Sequence, residues 1–161
     1  MTDLEANTVE LNTRGRYAVM ALADIAKFAD GNSVPLSAIA ERQQISLAYL
    51  EQIFLLLRRA GLVKSERGRT GGYRLARDAS DINVAEIMKA AEEPTRMTRC
   101  LEGGEGCLGE ERCLTHNLWA ALGEHIALFL KDVSLQDVAH GDPAKRLPVR
   151  LRAAAGVTAT Q

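Results

Sequence analysis

The stretch ISLAYLEQIFLLLRRAGLVKSERGRTGGYRL, residues 45–75, changes from helical to extended spacing partway along. Apolar residues recur on one predicted helix face at Leu50, Ile53, Phe54 and Leu57. Ser46 precedes this face as an N-cap, and Gly61 ends it. LVKSE and GYRLAR then have the character of short strands, and the glycines of RGRTGG between them permit a tight hairpin. The stretch therefore predicts a helix followed by a β-hairpin.

Two more helices are expected before this one. The first is TRGRYAVMALADIA, in which apolar residues recur at helical spacing from Thr13, a plausible N-cap, until the stop DGNS. The second is PLSAIAERQQ, which tolerates Pro35 at its start. Three helices and then a hairpin is the order of a winged helix-turn-helix. In such a unit the third helix enters the major groove of DNA by its N-terminal end, and the wing meets phosphates or the minor groove.

The charge is distributed unevenly along a chain whose net charge is only -1. Residues 58–77, which contain the predicted hairpin, carry a local net charge of +6, whereas residues 78–111 carry -6. A concentrated basic segment is what a protein that binds a polyanion needs. The hairpin is therefore the expected contact with nucleic acid.

The candidate DNA-binding residues lie near the start of the third helix and in the wing: Ser46, Ala48, Tyr49, Glu51, Gln52, Arg67 and Arg69. Gln52 can both donate to and accept from adenine, and Glu51 can accept from cytosine. Tyr49 and Ser46 can reach phosphates or base edges. Arg67 and Arg69 stand where a wing places a guanidinium on the duplex.

All three cysteines lie in CLEGGEGCLGEERCLTH, residues 100–116, which closes with a histidine. The pattern is C-x6-C-x5-C-x2-H, and its members are Cys100, Cys107, Cys113 and His116. Four such ligands suit tetrahedral zinc, and they also suit an iron–sulfur cluster in which one histidine replaces a thiolate. Zinc sites more often use closely spaced cysteine pairs, and the glycine-rich gaps leave room for a larger inorganic core. The spacing alone leaves both metals open.

Two helices are predicted around the cysteine segment. INVAEIMKAAEE precedes it and has Asn83 as its cap, with Ile87 turned inward. A long amphipathic helix is expected from Cys113 to about Lys131, with Cys113 and His116 on one face of its first turn. Its apolar stripe is wider than one small neighbour could cover, which indicates a subunit interface. SLQDVAH adds a turn or two after it.

The sequence argues against several classes of protein. It contains no phosphate-binding loop, nucleophile elbow or pair of catalytic acids, so an enzyme is not expected. The N-terminus MTDLEANTVELNTRGRY does not resemble a secretory signal, and no apolar run approaches the roughly 18 residues that span a bilayer. We therefore expect a cytoplasmic protein without membrane contact. In that reducing compartment, clustered cysteines favour metal or redox chemistry over disulfides.

Several of these segments together resemble the IscR-like family of winged-helix transcription regulators. The stretch of residues 45–75 resembles the family's recognition helix and wing, and RCLTHNLW resembles its cluster-binding segment. TRGRYAVMALADIA and SLQDV also fit, so the resemblance covers about residues 12–140. SLxYLEQ, RGxxGGY and CLTHxLW occur in the family's order and at its separations.

The resemblance implies a mainly α homodimer that binds a double-stranded DNA operator. It has a winged helix-turn-helix with a small hairpin wing and a long C-terminal dimerisation helix. The resemblance also implies a [2Fe-2S] cluster, whose ligands by position are Cys100, Cys107, Cys113 and His116. In the cluster-bound form such a regulator represses genes for cluster assembly and responds to iron and oxidative status.

The sequence pattern and the resemblance together divide the chain into segments, of which the first and the last lie outside the resemblance. These are a flexible arm (1–11), the winged helix-turn-helix (12–80), a connecting helix (81–99), the cluster-binding loop (100–116), the dimerisation helix region (113–140) and a flexible tail (141–161).

Two positions depart from the family pattern. The gap between Cys100 and Cys107 is one residue longer, which leaves another cluster type open. Ala48 stands where the family often has serine, which removes one hydrogen bond to DNA. Two rival functions also remain at this point: a winged-helix factor with a structural zinc, and an iron–sulfur electron carrier or cluster-transfer protein.

Overall fold

A computed structural model describes residues 13–69, 71–91 and 112–143 of the chain. Helices dominate these residues, and the two strands form one antiparallel hairpin. The elements, in chain order, are α1 (Thr13–Phe28), α2 (Leu36–Gln43), α3 (Leu47–Arg59), β1 (Val63–Glu66), β2 (Gly72–Leu75), a 3₁₀ turn (Ala79–Asp81), α4 (Val84–Ala90), α5 (His116–Asp132) and α6 (Leu135–Ala139). The predicted mainly α fold with a hairpin wing is confirmed. The predicted arm and tail fall largely outside the described residues.

The hydrophobic core lies where α1, α2 and α3 meet. The inward stripe predicted for α3 is confirmed, because its four members are fully buried. Leu22 and Ile25 of α1 and Ile39 of α2 complete the centre of the core. Burying each of these side chains contributes about 1.5–3 kcal/mol. The core therefore fixes α3 against the two preceding helices and leaves the opposite face of α3 exposed.

The helix caps follow the local sequence. The Ser46 hydroxyl accepts a hydrogen bond from the backbone N–H of Tyr49 at 3.2 Å, and the Asn83 side chain accepts one from the N–H of Glu86 at 2.9 Å. These two predicted caps are confirmed, whereas Thr13, which was predicted to cap α1, is itself the first residue of that helix. Gly61 adopts a left-handed φ of 74° just after α3, which is why glycine suits the end of this helix.

A buried carboxylate connects α1 to α2. Asp24 is only 2% exposed, and it lies among apolar residues of α1. Its oxygens accept hydrogen bonds from Arg42 Nη2 at 2.6 Å, Arg42 Nε at 2.9 Å and Gln43 Nε2 at 2.8 Å. The hydrogen bond to Asp24 also raises the pKa of Arg42 above its ordinary value. Since Arg42 and Gln43 precede the turn into α3, this network fixes the start of that turn.

The wing is attached to the helical core by a short stretch of pairing. Strands β1 and β2 align Val63 with Leu75 and Glu66 with Gly72. Val34 and Tyr73 exchange two backbone hydrogen bonds of 2.8 Å, so β2 also pairs with the segment that leads into α2. A Cβ at Gly72 would lie 2.4 Å from the backbone of Val34. Only glycine permits this approach, which holds the wing beside the helices.

The C-terminal end of α5 is fastened to the same unit. Val84 N–H donates to Val133 O at 3.0 Å, and Leu135 N–H donates to Ile82 O at 2.7 Å. Ser134 and Asp137 then form a capping box that starts α6, which confirms the extra turn predicted for SLQDVAH.

The long helix begins later than predicted. Its first residue is His116, whereas Cys113 lies in the preceding turn, where Cys113 O accepts from the N–H of His116 at 3.0 Å. The prediction that α5 starts at Cys113 is therefore wrong by three residues. Cys113 and His116 are still held together by this backbone hydrogen bond. No helix among the described residues is long and apolar enough to cross a membrane.

Candidate functional site

The exposed face of α3 carries most of the residues predicted to contact DNA. Ala48, Glu51 and Gln52 are all exposed, and their spacing of three and four residues places them on one helical face. Leu47 and Leu55 are also exposed on α3. This face presents one amide, one carboxylate and several apolar groups, and side chains of these kinds can contact base edges in the major groove.

Ser46 and Tyr49 have structural roles beside their predicted contact with DNA. The lone pair of Ser46 that caps α3 is occupied by the N–H of Tyr49, while the hydroxyl proton can still donate to a phosphate. Tyr49 is half-buried, and its ring meets that of Tyr17 edge to face at a centroid distance of 5.8 Å. Tyr17 of α1 therefore fixes the orientation of a candidate contact residue on α3.

The start of α1 was missed as part of this surface. Tyr17 contacts Tyr49, and Arg14 lies three residues earlier on the same helical face as Tyr17. From this spacing we expect the Arg14 side chain on the side of α1 that faces the start of α3. The signal in the sequence was the basic pair in TRGRY, but only the packing of the two tyrosines shows which helix it accompanies.

Two of the basic residues in the stretch 58–77 form ion pairs within the protein. Arg74 pairs with Glu66 at 2.6 Å, and Arg77 pairs with Glu86 at 2.5 Å. The other basic residues of the stretch 58–77 are exposed and form no ion pair with the residues that the structure describes: Arg58, Arg59, Lys64, Arg67 and Arg69. Arg67 and Arg69 flank Gly68, whose φ of 120° turns the hairpin. The two predicted wing arginines thus lie at the exposed tip.

The second candidate site lies at the start of α5. Here the structure describes Cys113 and His116, while Cys100 and Cys107 lie outside the described residues. The His116 Nδ1 atom is buried and has no hydrogen-bond partner within the described residues. A buried ring nitrogen without a partner carries a desolvation cost of about 1–3 kcal/mol unless something binds it. Thiolate and imidazole are the donors that zinc and iron–sulfur clusters take, so these two residues fit such a group.

Described residues alone do not make up a complete metal site. No group of three or more histidine, cysteine, aspartate or glutamate side chains gathers in ligating positions within residues 13–69, 71–91 and 112–143. The predicted four-ligand set thus depends on the two cysteines outside these ranges, and it stays a prediction.

Thr115 stands between the candidate ligand Cys113 and an aromatic residue of α5. Its Oγ1 lies 3.5 Å from Cys113 Sγ and accepts a 3.1 Å hydrogen bond from Trp119 Nε1. Thr115 occupies the N-cap position of α5, yet its side chain makes no capping hydrogen bond. Sequence reasoning missed this residue, because the helix was predicted to begin at Cys113, which would have placed Thr115 inside its first turn.

Helix α5 exposes much of its apolar surface. Leu118 is 60% exposed and Leu128 is 57% exposed, and Trp119 and Leu122 are each 36% exposed. Gly123 is the one buried residue of this helix. An exposed apolar surface of this kind commonly marks an interaction surface.

Comparisons with known proteins also point to a transcription regulator. Residues 11–141 match the model of the Rrf2 family, described as iron-dependent transcriptional regulators. A curated relative from Xenorhabdus nematophila, the HTH-type transcriptional regulator IscR, is 52% identical over 81% of this chain and 79% of its own. The protein of the same name from Serratia proteamaculans is 45% identical over 90% of this chain and 100% of its own. These relatives are regulators, in agreement with the expectation that the chain is not an enzyme.

Solved structures of similar proteins have the same fold. The global cysteine regulator CymR of B. subtilis superposes with a TM-score of 0.70 at 31% identity, covering 83% of this chain and 98% of that one. T. potens IscR superposes with a TM-score of 0.68 at 33% identity, covering 89% of this chain and 96% of that one. With the winged-helix fold, the exposed recognition face and these matches taken together, the chain belongs to the Rrf2 family of iron-dependent transcriptional regulators.

Proposed function

We propose that this protein is a homodimeric transcription regulator whose binding to operator DNA depends on an iron–sulfur cluster. The observation that carries the proposal is the buried His116 Nδ1, which lacks a partner among the described residues and lies next to Cys113 at the start of α5. It supports a ligand role for both residues in a chain that also presents a recognition helix. In the cluster-bound form the regulator represses genes for cluster assembly, as the family resemblance implies.

The DNA contacts are assigned to α3 and the wing. Gln52 is placed opposite adenine and Glu51 opposite cytosine, because both are exposed and share one helical face. Ala48 offers a methyl group that suits contact with a thymine methyl. Ser46 and Tyr49 contact the phosphate backbone at the start of α3, where the helix N-terminus also favours negative charge.

The wing supplies the electrostatic part of the contact. Arg67 and Arg69 lie exposed at the hairpin tip, where they reach the minor groove or its phosphates. Arg58, Arg59 and Lys64 add positive charge nearby. Because Arg74 and Arg77 already have carboxylate partners, we assign them to holding the wing in place. Phosphate contacts of this kind raise affinity for all DNA sequences, so we assign the sequence specificity to α3.

The cluster ligands are proposed to be Cys100, Cys107, Cys113 and His116, and the cluster type to be [2Fe-2S]. Such a group, when bound, is sensitive to iron supply and to oxidants, and it supplies reversible one-electron chemistry. His116 contributes a neutral imidazole, which binds only while it is unprotonated. Cys113 contributes a thiolate from the turn that the backbone hydrogen bond to His116 holds in place.

The homodimer is assigned to α5. This helix exposes four large apolar side chains, whereas its C-terminal end is fixed to α4 and α6. A second copy covering this face would place the two recognition helices on one duplex, as dimeric helix-turn-helix proteins require. A regulator of this kind acts in the cytoplasm, where the genome lies.

Metal content and DNA binding test the proposal together. We would purify the protein anaerobically, measure visible absorption, iron and acid-labile sulfide, and titrate a duplex that the protein selects from a random-sequence pool. We expect a coloured protein with iron and sulfide in equal amounts, and Cys113→Ala should lose both. A colourless protein with one zinc per chain and metal-independent DNA binding would contradict the proposal.

A further inference from the structure

The hydroxyl of Thr115 is used in an unusual way. A threonine at an N-cap normally accepts a hydrogen bond from a backbone N–H two or three residues later. Here φ is -97° and ψ is 4°, and the side chain makes no such bond. Its oxygen instead approaches the Cys113 sulfur at 3.5 Å and accepts from the Trp119 indole at 3.1 Å. The Thr115 hydroxyl therefore contacts both Cys113 and Trp119 and does not cap α5.

The direction of these hydrogen bonds depends on the state of the sulfur. A cysteine thiol can donate or accept, so with a thiol either atom of the Cys113–Thr115 pair can be the donor. A thiolate can only accept, so when Cys113 is a metal ligand the Thr115 O–H must donate to it. The oxygen then still has lone pairs for the indole N–H, which is always a donor. One hydroxyl can therefore serve both neighbours at once when Cys113 is a thiolate, by donating to the sulfur and accepting from the indole.

We propose that the Thr115 hydroxyl is a hydrogen-bond relay that donates to the iron-bound Cys113 sulfur and accepts from the Trp119 indole. The relay ties the ligand sulfur to the apolar face of α5, because Trp119 is one of the four exposed apolar residues there. Hydrogen bonds to cluster sulfurs raise reduction potential. Thr115 thus acts as a positioning residue that tunes the cluster and connects it with the surface assigned to the second copy. This inference rests on the proposed function.

The chain offers a clean probe of the relay, since Trp119 is its single tryptophan. A ¹⁵N-labelled protein therefore gives one indole N–H resonance. In the cluster-free protein, Thr115→Val should move this resonance upfield and speed its exchange with water, because the indole loses its acceptor. Thr115→Ser keeps the hydroxyl and should restore both. Asn117→Ala, which alters an exposed side chain in the same helical turn, serves as the matched control.

The cluster-bound protein gives the second readout. With Thr115→Val the reduction potential of the cluster should become more negative, and with Thr115→Ser or Asn117→Ala it should stay at the wild-type value. If the cluster binds and DNA binding responds to it, yet Thr115→Val changes neither the indole resonance nor the potential, the relay is wrong and the proposed function stands. If the wild-type protein binds no iron and sulfide under anaerobic conditions, both the relay and the proposed function are wrong.

Discussion

Helices α3 and α5 are both amphipathic, but the rest of the chain covers them very differently. Helix α3 buries four apolar side chains of its 13 residues in the core, while α5, with 17 residues, buries only Gly123. The uncovered side of α3 carries the polar side chains of Glu51 and Gln52 together with Ala48, whereas the uncovered side of α5 carries four large apolar side chains. The contrast teaches that the protein's own core covers the apolar face of α3, whereas the described residues leave the apolar face of α5 exposed, where the proposed second copy would cover it.

The largest effect expected from this contrast concerns core packing. Phe54→Ala should lower the free energy of unfolding by about 3–5 kcal/mol, because Phe54 is fully buried in α3. Leu118→Ala in α5 should change it by less than about 0.5 kcal/mol at low protein concentration and instead weaken dimerisation. Urea unfolding at several protein concentrations, with analytical ultracentrifugation, measures both. A loss of several kcal/mol for Leu118→Ala at every concentration would mean that Leu118 packs within one protomer and does not lie at a dimer interface.

The Asp24 network gives the next largest effect. Asp24→Asn replaces an acceptor by a donor that faces Arg42 and Gln43, so unfolding should become easier by about 1–3 kcal/mol. Glu66→Gln is the matched control, because its pair with Arg74 is exposed on both sides and contributes at most about 1 kcal/mol. Chemical denaturation of the two variants makes the comparison. Equal losses of unfolding free energy in the two variants would mean that the buried Asp24 carboxylate stabilises the fold no more than a surface ion pair does.

The exposed face of α3 and the wing are expected to differ in how strongly their DNA contacts depend on the DNA sequence. Gln52→Ala should weaken binding to a selected duplex by about 1–3 kcal/mol and leave binding to random DNA nearly unchanged. Arg67→Ala should weaken both duplexes alike and reduce the salt dependence of binding. Fluorescence anisotropy at two salt concentrations measures these differences. If Gln52→Ala weakens both duplexes equally, Gln52 contacts the phosphate backbone.

The smallest effect expected is a pH dependence at the 3₁₀ turn between the wing and α4. The Ser80 hydroxyl and the Ser80 backbone N–H donate to Asp78 and lower its pKa below the ordinary 3.8. A lowered pKa in the folded state adds stability above the ordinary value and loses it as the pH falls further. Asp78→Asn should therefore flatten the fall in stability between about pH 5 and pH 3. The measurement is the unfolding free energy from urea denaturation at several pH values in this range. If its dependence on pH is the same in Asp78→Asn and in the wild-type protein, Asp78 does not contribute to the pH dependence.

Much of the fold follows from local chemistry that the sequence displays. Ser46 and Asn83 were predicted as caps because a short polar side chain stands directly before an apolar helical pattern, and both caps form. The hairpin was predicted from its glycines, and Gly68 adopts a φ of 120° at its turn. Such features depend on neighbours a few positions away, so periodicity and turn chemistry suffice.

Other features depend on partners far along the chain. Asp24 lies within the apolar pattern of α1. Its burial is explained only by its hydrogen bonds with Arg42 and Gln43, which lie 18 and 19 positions later in the chain. The edge-to-face contact of Tyr17 with Tyr49 likewise needs the packed helices. Thr115 was not predicted to have a role, because the helix was expected to begin at Cys113 and the sequence does not show which atoms a hydroxyl will contact. The four-ligand set and the DNA contacts come from spacing and resemblance, and they stay predictions.

The most direct test of the account is the affinity of one DNA duplex for the protein with and without its cluster. The duplex is the one selected by anaerobic protein, and the cluster is removed by a chelator from part of the same preparation. We predict a change in Kd of about 5- to 150-fold, matched by an equal change in cluster affinity when the duplex is bound. Identical Kd values for the two forms would contradict the claim that a cluster governs DNA binding.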